Sequence, residues 1–164
     1  MIYVLYGQPG SGKTTLGKLL AEYLDTPFLI DGDEFRGMFS NLNYGRKGRE
    51  ENIRNANAVA TYLNKKALKG GWKAIYVDLI NGWKGQSVNS NTDVVMSLVN
   101  PYKNLRDELK NHNAGQTMEI MLSSRRSLRK EYHVEDFEKG YPDCLINTDR
   151  ETEDTWSYLK TLIT

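Results

Sequence analysis

Apolar residues in this chain fall into two rhythms. Short continuous runs read as buried strands: Ile2-Tyr3-Val4-Leu5-Tyr6, Phe28-Leu29-Ile30, Ala74-Ile75-Tyr76-Val77, Val94-Val95-Met96-Ser97-Leu98-Val99, Met118–Leu122 and Cys144-Leu145-Ile146. Between them apolar positions return every three or four residues, as on a helix. Leu16, Leu19, Leu20, Tyr23 and Leu24 form one such face. Ile53, Ala56, Ala60, Leu63 and Ala67 form a second between about Glu50 and Leu68, stopped by Gly70-Gly71. Leu105–Lys110 is a shorter helix, and Arg125–Tyr132 is helical or mobile. Asp149 is placed to cap a last helix whose buried side is Trp156, Leu159, Leu162 and Ile163. The polar stretch Asn81–Thr92 reads as a loop.

Strands alternating with helices predict an α/β fold, a three-layer sandwich around a mostly parallel sheet. The length, 164 residues, suits one domain over 1–164. Such sheets bind ligands at the carboxyl ends of their strands. The polar segments richest in chemistry, Gly7–Thr14, Asp31–Arg36 and Asn100–Tyr102, all follow apolar runs.

Composition narrows the classes. A formal net charge of +1 gives no bulk attraction to nucleic acid or membrane. A local basic patch of Arg125, Arg126, Arg129 and Lys130 keeps a nucleic-acid partner open. The single cysteine, Cys144, precludes a disulfide within the chain and fits a reducing, cytoplasmic compartment. The amino terminus has neither a basic region nor a long apolar core, so no signal peptide is expected. No stretch approaches the ~20 apolar residues of a membrane helix.

The strongest motif is Gly7-Gln8-Pro9-Gly10-Ser11-Gly12-Lys13-Thr14, a full G-x-x-x-x-G-K-[ST] between a strand and a helix. Its glycines let backbone N–H groups turn in around phosphates, and the helix presents its positive end to them. Gly7, Gly10, Ser11, Gly12, Lys13, Thr14 and Thr15 are the expected nucleotide contacts. Lys13 reaches the β- and γ-phosphates and Thr14 ligates Mg²⁺. ATP and magnesium are the expected cofactors.

A second constellation follows. Asp31-Gly32-Asp33-Glu34-Phe35-Arg36 ends the second strand, and a carboxylate there can deprotonate an acceptor hydroxyl or hold magnesium through water. A helix cap followed by a solvated turn explains the same residues. Arg49, Asn52 and Ala56 share one helical side, so two polar groups can enter one cleft.

In these segments the chain resembles the adenylylsulfate kinase family of P-loop kinases. The quoted acidic turn is similar to that family's D-G-D-x-x-R. Asn43-Tyr44 followed by Arg49-Glu50-Glu51-Asn52-Ile53-Arg54 resembles G-F…R-x-E-N-I-R, Asn100-Pro101-Tyr102 and Arg106-Asp107 resemble S-P-Y…R-D, and Leu145-Ile146-Asn147-Thr148-Asp149 resembles L-D-T-D. The matches follow the family's order along nearly the whole chain. The resemblance implies an ATP-dependent transfer to the 3′-hydroxyl of adenylylsulfate, a step of sulfate assimilation. It implies Asp33 as the catalytic carboxylate and, with Thr14, as a metal residue. Arg36, Arg49 and Asn52 would hold the acceptor's phosphate and sulfate. Tyr44 would stack on its adenine, and Asn100 and Arg106 would complete the acceptor site.

Three departures stand out. Asn100 replaces the family's serine. The lid before the last strand, about 123–141, is short and lacks the family's K-G-L-Y and second stacking phenylalanine; Arg125 and Arg126 are its candidate phosphate contacts, and Tyr132 or Phe137 its candidate aromatics. Residues 72–91 form an insertion suited to a sheet-edge hairpin, a substrate wall or a homodimer contact, with Asp78 a lesser candidate for magnesium. His112 and His133 have no partner at metal-ligand spacing. The expected ligand is a small nucleotide substrate. Two further functions fit the same residues. One is a kinase for another hydroxyl, on a nucleotide, a sugar or a modified base in nucleic acid. The other is a non-catalytic nucleotide-binding module.

Overall fold

The computed structural model describes residues 1–68, 92–126 and 129–164. Its centre is a parallel sheet of five strands in the order β2-β3-β1-β4-β5. β1 (Ile2–Tyr6) lies between β3 (Val94–Leu98) and β4 (Thr117–Ser123), with β2 (Leu29–Asp31) and β5 (Cys144–Asn147) outside them. The register sets Ile2 against both Val94 and Thr117, and Asp31 against Ser97. The central strands β1 and β3 are buried along their whole length, which is why they appear in the sequence as unbroken apolar runs.

Alternation of side chains divides those runs between two cores. Tyr3, Leu5, Val95, Ile120 and Leu122 pack with Leu16 and Leu20 of α1 (Lys13–Tyr23) and Leu159 of α5 (Thr152–Ile163). Ile2, Val4, Val94 and Met96 pack with Ala56 and Ala60 of α3 (Arg46–Leu68) and Leu109 of α4 (Lys103–His112). The short α2 (Gly32–Met38) follows β2. The expected three-layer α/β sandwich is therefore present, and its sheet is parallel throughout.

The chain leaves β1 for the edge strand β2, returns to β3, then crosses β1 to reach β4. That reversal opens a crevice at the carboxyl ends of β1 and β3. Gly7–Thr14, Asp31–Arg36 and Asn100–Tyr102 all emerge there.

Several local expectations change. α3 begins at Arg46 rather than near Glu50, and α4 is longer than Leu105–Lys110. Within Arg125–Tyr132 the described residues form no α-helix, only a 3₁₀ turn at Lys130–Tyr132. Asp149 does not cap α5. Glu151 holds the cap position, while the Asp149 carboxylate accepts from Ser124 Oγ at 2.8 Å and Arg125 Nε at 3.0 Å. That pairing holds its pKa well below the usual carboxylate range. Cys144 packs partly buried against the α1–α5 core. The 72–91 insertion, the run Ala74–Val77 and Asp78 lie outside the described residues.

Candidate active site

The phosphate loop is built as its pattern requires. Gly10 and Gly12 take φ of 84° and 86°, left-handed values that a side chain resists, and α1 starts directly at Lys13. Lys13 Nζ donates to the Gln8 carbonyl at 2.8 Å and to Ser11 Oγ at 3.4 Å. Burial pulls the ammonium's pKa down to about 8, against the opposing pull of Asp33 and Asp31. Gly10, Gly12, Lys13, Thr14 and Thr15 line a cavity of about 1220 Å³. Ser11 instead turns inward, its carbonyl accepting from Thr148 Oγ1 at 3.1 Å, and Gly7 sits below, its N–H donating to Val99 O at 3.4 Å.

One carboxylate organises the floor. Asp31 Oδ1 accepts from the N–H groups of Asp33 and Glu34, capping α2, while Oδ2 accepts from Thr14 Oγ1 at 2.7 Å. The oxygen pair facing the phosphate loop is thus Thr14 with Asp31, where the resemblance puts Thr14 with Asp33. Asp33 is exposed on the first turn of α2, lines the same cavity and acts electrostatically on Lys13. The acidic turn is a helix cap and also part of the cavity wall. The sequence offers two aspartates two residues apart and no sign of which faces the loop.

The other end of the cavity carries Arg36, Tyr44, Arg49, Asn52 and Asn100. Arg36 is buried and donates to Asn43 O at 2.8 Å and Asn41 Oδ1 at 3.2 Å, with its guanidinium 4.6 Å from the Tyr44 ring centroid. Arg49 Nε donates to Tyr44 O at 2.7 Å, and Asn52 Nδ2 to Gly32 O at 3.3 Å. The loop carrying Tyr44 rests on the first turn of α3 because Gly48 has no side chain; a Cβ there would lie 1.9 Å from Asn43 O. Arg126, Arg129 and Arg150 also line the cavity. Among its described lining residues, six cations, Lys13 and Arg36, Arg49, Arg126, Arg129 and Arg150, face two carboxylates, Asp31 and Asp33. That imbalance attracts polyanions. Arg150 and Ser97 carry no motif signal in the sequence and are found only by where the fold puts them.

Arg106 and Arg125, also expected in the site, are likewise elsewhere. Arg106 is 1% exposed and does not line the cavity. Its guanidinium donates to the carbonyls of Asn100 at 2.6 Å, Glu138 at 2.6 Å and Lys139 at 3.2 Å, lies 4.3 Å from the Tyr6 ring centroid and has Glu119 at 3.7 Å. It supports the Asn100 turn of the cavity from beneath. Arg125 likewise misses the cavity and pairs with Asp149. Arg126 does line it, bonded to the Thr148 carbonyl and Ser124 Oγ. The segment read as a lid divides in two. Arg129 and Tyr132 line the cavity, whereas residues 133–139 form a strap on the phosphate loop. Gln8 and Val134 exchange two 2.8 Å hydrogen bonds, Tyr6 Oη donates to Lys139 O at 2.7 Å, and Phe137 stacks on Tyr6 rather than in the cleft.

Replacing Arg106 by methionine is expected to destabilise the protein by about 3 kcal/mol, because three carbonyls and Glu119 lose a buried partner. For a chain of this size that is a fall in Tm of roughly 6–12 °C. Thermal melts of Arg106→Met and Arg106→Lys test it. Lysine should recover little, since one ammonium cannot match a planar fork stacked on a ring. A methionine variant melting within 2 °C of wild type (about 1 kcal/mol or less) would dismiss the brace.

Comparison with known proteins matches this geometry. Residues 1–69, which hold the phosphate loop, the acidic turn and the Arg36–Asn52 cluster, match the family model for adenylylsulphate kinase. A curated cytidylate kinase of Methanococcoides burtonii is 50% identical over 38 residues, a match spanning 23% of this chain and 22% of that protein. Among solved structures, the Mycobacterium tuberculosis APS kinase in complex with AMPPNP and APS superposes with a TM-score of 0.70 at 18% identity, covering 99% of this chain and 96% of that one. A Sinorhizobium meliloti gluconokinase superposes with a TM-score of 0.56 at 14% identity, covering 98% and 94%. At these identities the structural likenesses establish a P-loop kinase fold, shared by adenylylsulphate and sugar kinases alike. No helix among the described residues is long and apolar enough to cross a membrane.

Proposed function

We propose that the protein is an ATP-dependent kinase that phosphorylates the 3′-hydroxyl of adenylylsulfate. The observation that carries this is one continuous cavity joining the phosphate loop to a braced arginine–tyrosine–asparagine cluster. Its volume exceeds that of a typical single-ligand pocket and accommodates a donor and an acceptor together.

In this reading ATP lies with its phosphates on the backbone N–H groups of Gly10–Thr14, and Arg126, Arg129 and Arg150 line the remainder of its site. Lys13 neutralises charge gathering on the γ-phosphoryl group. Arg36 and Arg49 hold the acceptor's phosphosulfate, and Tyr44 lies under its adenine. Asp33 takes the proton of the 3′-hydroxyl as that oxygen bonds to the γ-phosphorus and the bond to ADP breaks. Thr14 and Asp31, a pair of oxygens at the loop, suit a hard divalent cation such as Mg²⁺. When bound, that ion would draw charge from the phosphate oxygens. Asp31→Asn keeps the cap but removes the charge. It should raise the Mg²⁺ concentration needed for half-maximal AMPPNP binding about tenfold. Calorimetric titrations at varied Mg²⁺ measure this, and an unchanged Mg²⁺ dependence would remove Asp31 from the metal site.

A second reading, transfer to a different hydroxyl, draws on Phe137, whose ring is committed to Tyr6 and leaves Tyr44 without that partner across the cleft. The deciding experiment supplies γ-labelled ATP with adenylylsulfate, D-gluconate or cytidylate. Labelled 3′-phosphoadenylylsulfate as the main product supports the first reading. Label passing only to D-gluconate replaces it with the second, and label passing only to the phosphate of cytidylate, which is not a hydroxyl, defeats both.

A further inference from the structure

Asn100 begins the turn after β3 and is 1% exposed, yet neither Nδ2 nor Oδ1 has a hydrogen-bond partner among the described residues. Native structures seldom leave both ends of a buried carboxamide unpaired without a reason. The residue lines the large cavity. Its backbone is held in the left-handed region at φ 43°, which asparagine tolerates better than most residues, and its carbonyl is fixed by Arg106 Nη1 at 2.6 Å. The amide is therefore presented by a rigid support. Nearby, Asn52 repeats the theme: 5% exposed, with Oδ1 unpartnered among the described residues while Nδ2 is used on Gly32.

The chemistry of the vacant hydrogen-bonding groups restricts what they take. A carbonyl oxygen repels sulfate and phosphate, and Arg36 and Arg49 already supply the cavity with cations for those. A primary amide suits a neutral group that donates and accepts at adjacent positions. We infer that Asn100 is a specificity-determining residue that reads a vicinal diol on the phosphoryl acceptor, Nδ2–H donating to one hydroxyl while Oδ1 accepts from its neighbour. The inference rests on the kinase reading above and extends it. The acceptor is a ribose or an open-chain sugar acid with a second hydroxyl beside the one phosphorylated, and a deoxy analogue is rejected because it leaves the buried amide unpaired.

The test compares adenylylsulfate with 2′-deoxyadenylylsulfate, and D-gluconate with its analogue lacking the hydroxyl next to the phosphorylated one. It uses wild type, Asn100→Gly and Asn100→Asp. Glycine keeps the positive φ and removes the amide. Aspartate keeps the shape and removes the donor, and serves if the glycine variant fails to fold. Wild type should favour the diol over its deoxy partner by about tenfold or more in kcat/KM. That ratio should fall to about one in Asn100→Gly, chiefly through KM, and fall in Asn100→Asp as well. A ratio unchanged in the variants, or already near one in wild type, would overturn the inference and leave Asn100 with a structural water alone. Turnover of gluconate but not adenylylsulfate would overturn the adenylylsulfate reading while the gluconate pair still decides the role of Asn100. Turnover of none of these acceptors would defeat both.

Discussion

Asp33→Asn is expected to lower kcat by about 10²–10⁴-fold, the usual contribution of a positioned general base, while the KM for ATP changes no more than a few-fold. The asymmetry comes from geometry. Asp33 stands exposed on the first turn of α2, on the cavity wall, and is not the carboxylate bonded to Thr14. The asparagine keeps the shape of the side chain and loses its charge and basicity. The Asp31 cap and the phosphate loop stay in place, so nucleotide affinity is preserved. Steady-state kinetics at saturating acceptor measure the effect. A variant that lost ATP affinity yet turned over normally at saturation would transfer the catalytic role away from Asp33.

Lys13→Ala should cost about 10²–10³-fold in turnover, the scale of losing one donor to charge that develops in the transition state. The fold should survive, because among the described residues Nζ bonds only to the loop itself, at Gln8 O and Ser11 Oγ. The same lysine predicts a pH signature. Burial lowers its pKa to about 8 in the free protein, so the ammonium is charged below that pH and neutral above it. In wild type kcat/KM for ATP should therefore fall as pH rises through about 8, since that parameter reports the free enzyme. In Lys13→Ala the limb assigned to this group should vanish. A mutant with near-normal turnover, or with the same alkaline limb, would remove Lys13 from the chemistry.

Much of this could be read in the sequence because the signals are local. A buried parallel strand must be apolar throughout, so β1 and β3 announce themselves as continuous runs. A phosphate loop needs small residues at set spacing, so Gly10, Gly12, Lys13 and Thr14 are legible as a string. The placing of Arg49 and Asn52 in one cleft was legible for a related reason: they are one helical turn apart, and the fold sets both on the cavity.

What stayed hidden depends on residues distant in the chain. Which aspartate meets Thr14 is decided by the direction in which β2 delivers Asp31, and periodicity of two cannot say which of Asp31 and Asp33 starts the helix. Arg106 looked like one more cation for an anionic acceptor. Its burial follows from contacts with Asn100, Glu138 and Lys139, up to 33 positions away. The segment expected to close as a lid is divided by the Gln8–Val134 amide pair, which spans 126 positions. The chain's own order thus determined the strands, the phosphate loop and the chemical types gathered at the cleft. Only tertiary packing decided which charged groups remain available to a ligand and which are consumed in holding the loops, because a guanidinium or carboxylate looks the same in sequence whether its partner is a substrate or a backbone carbonyl.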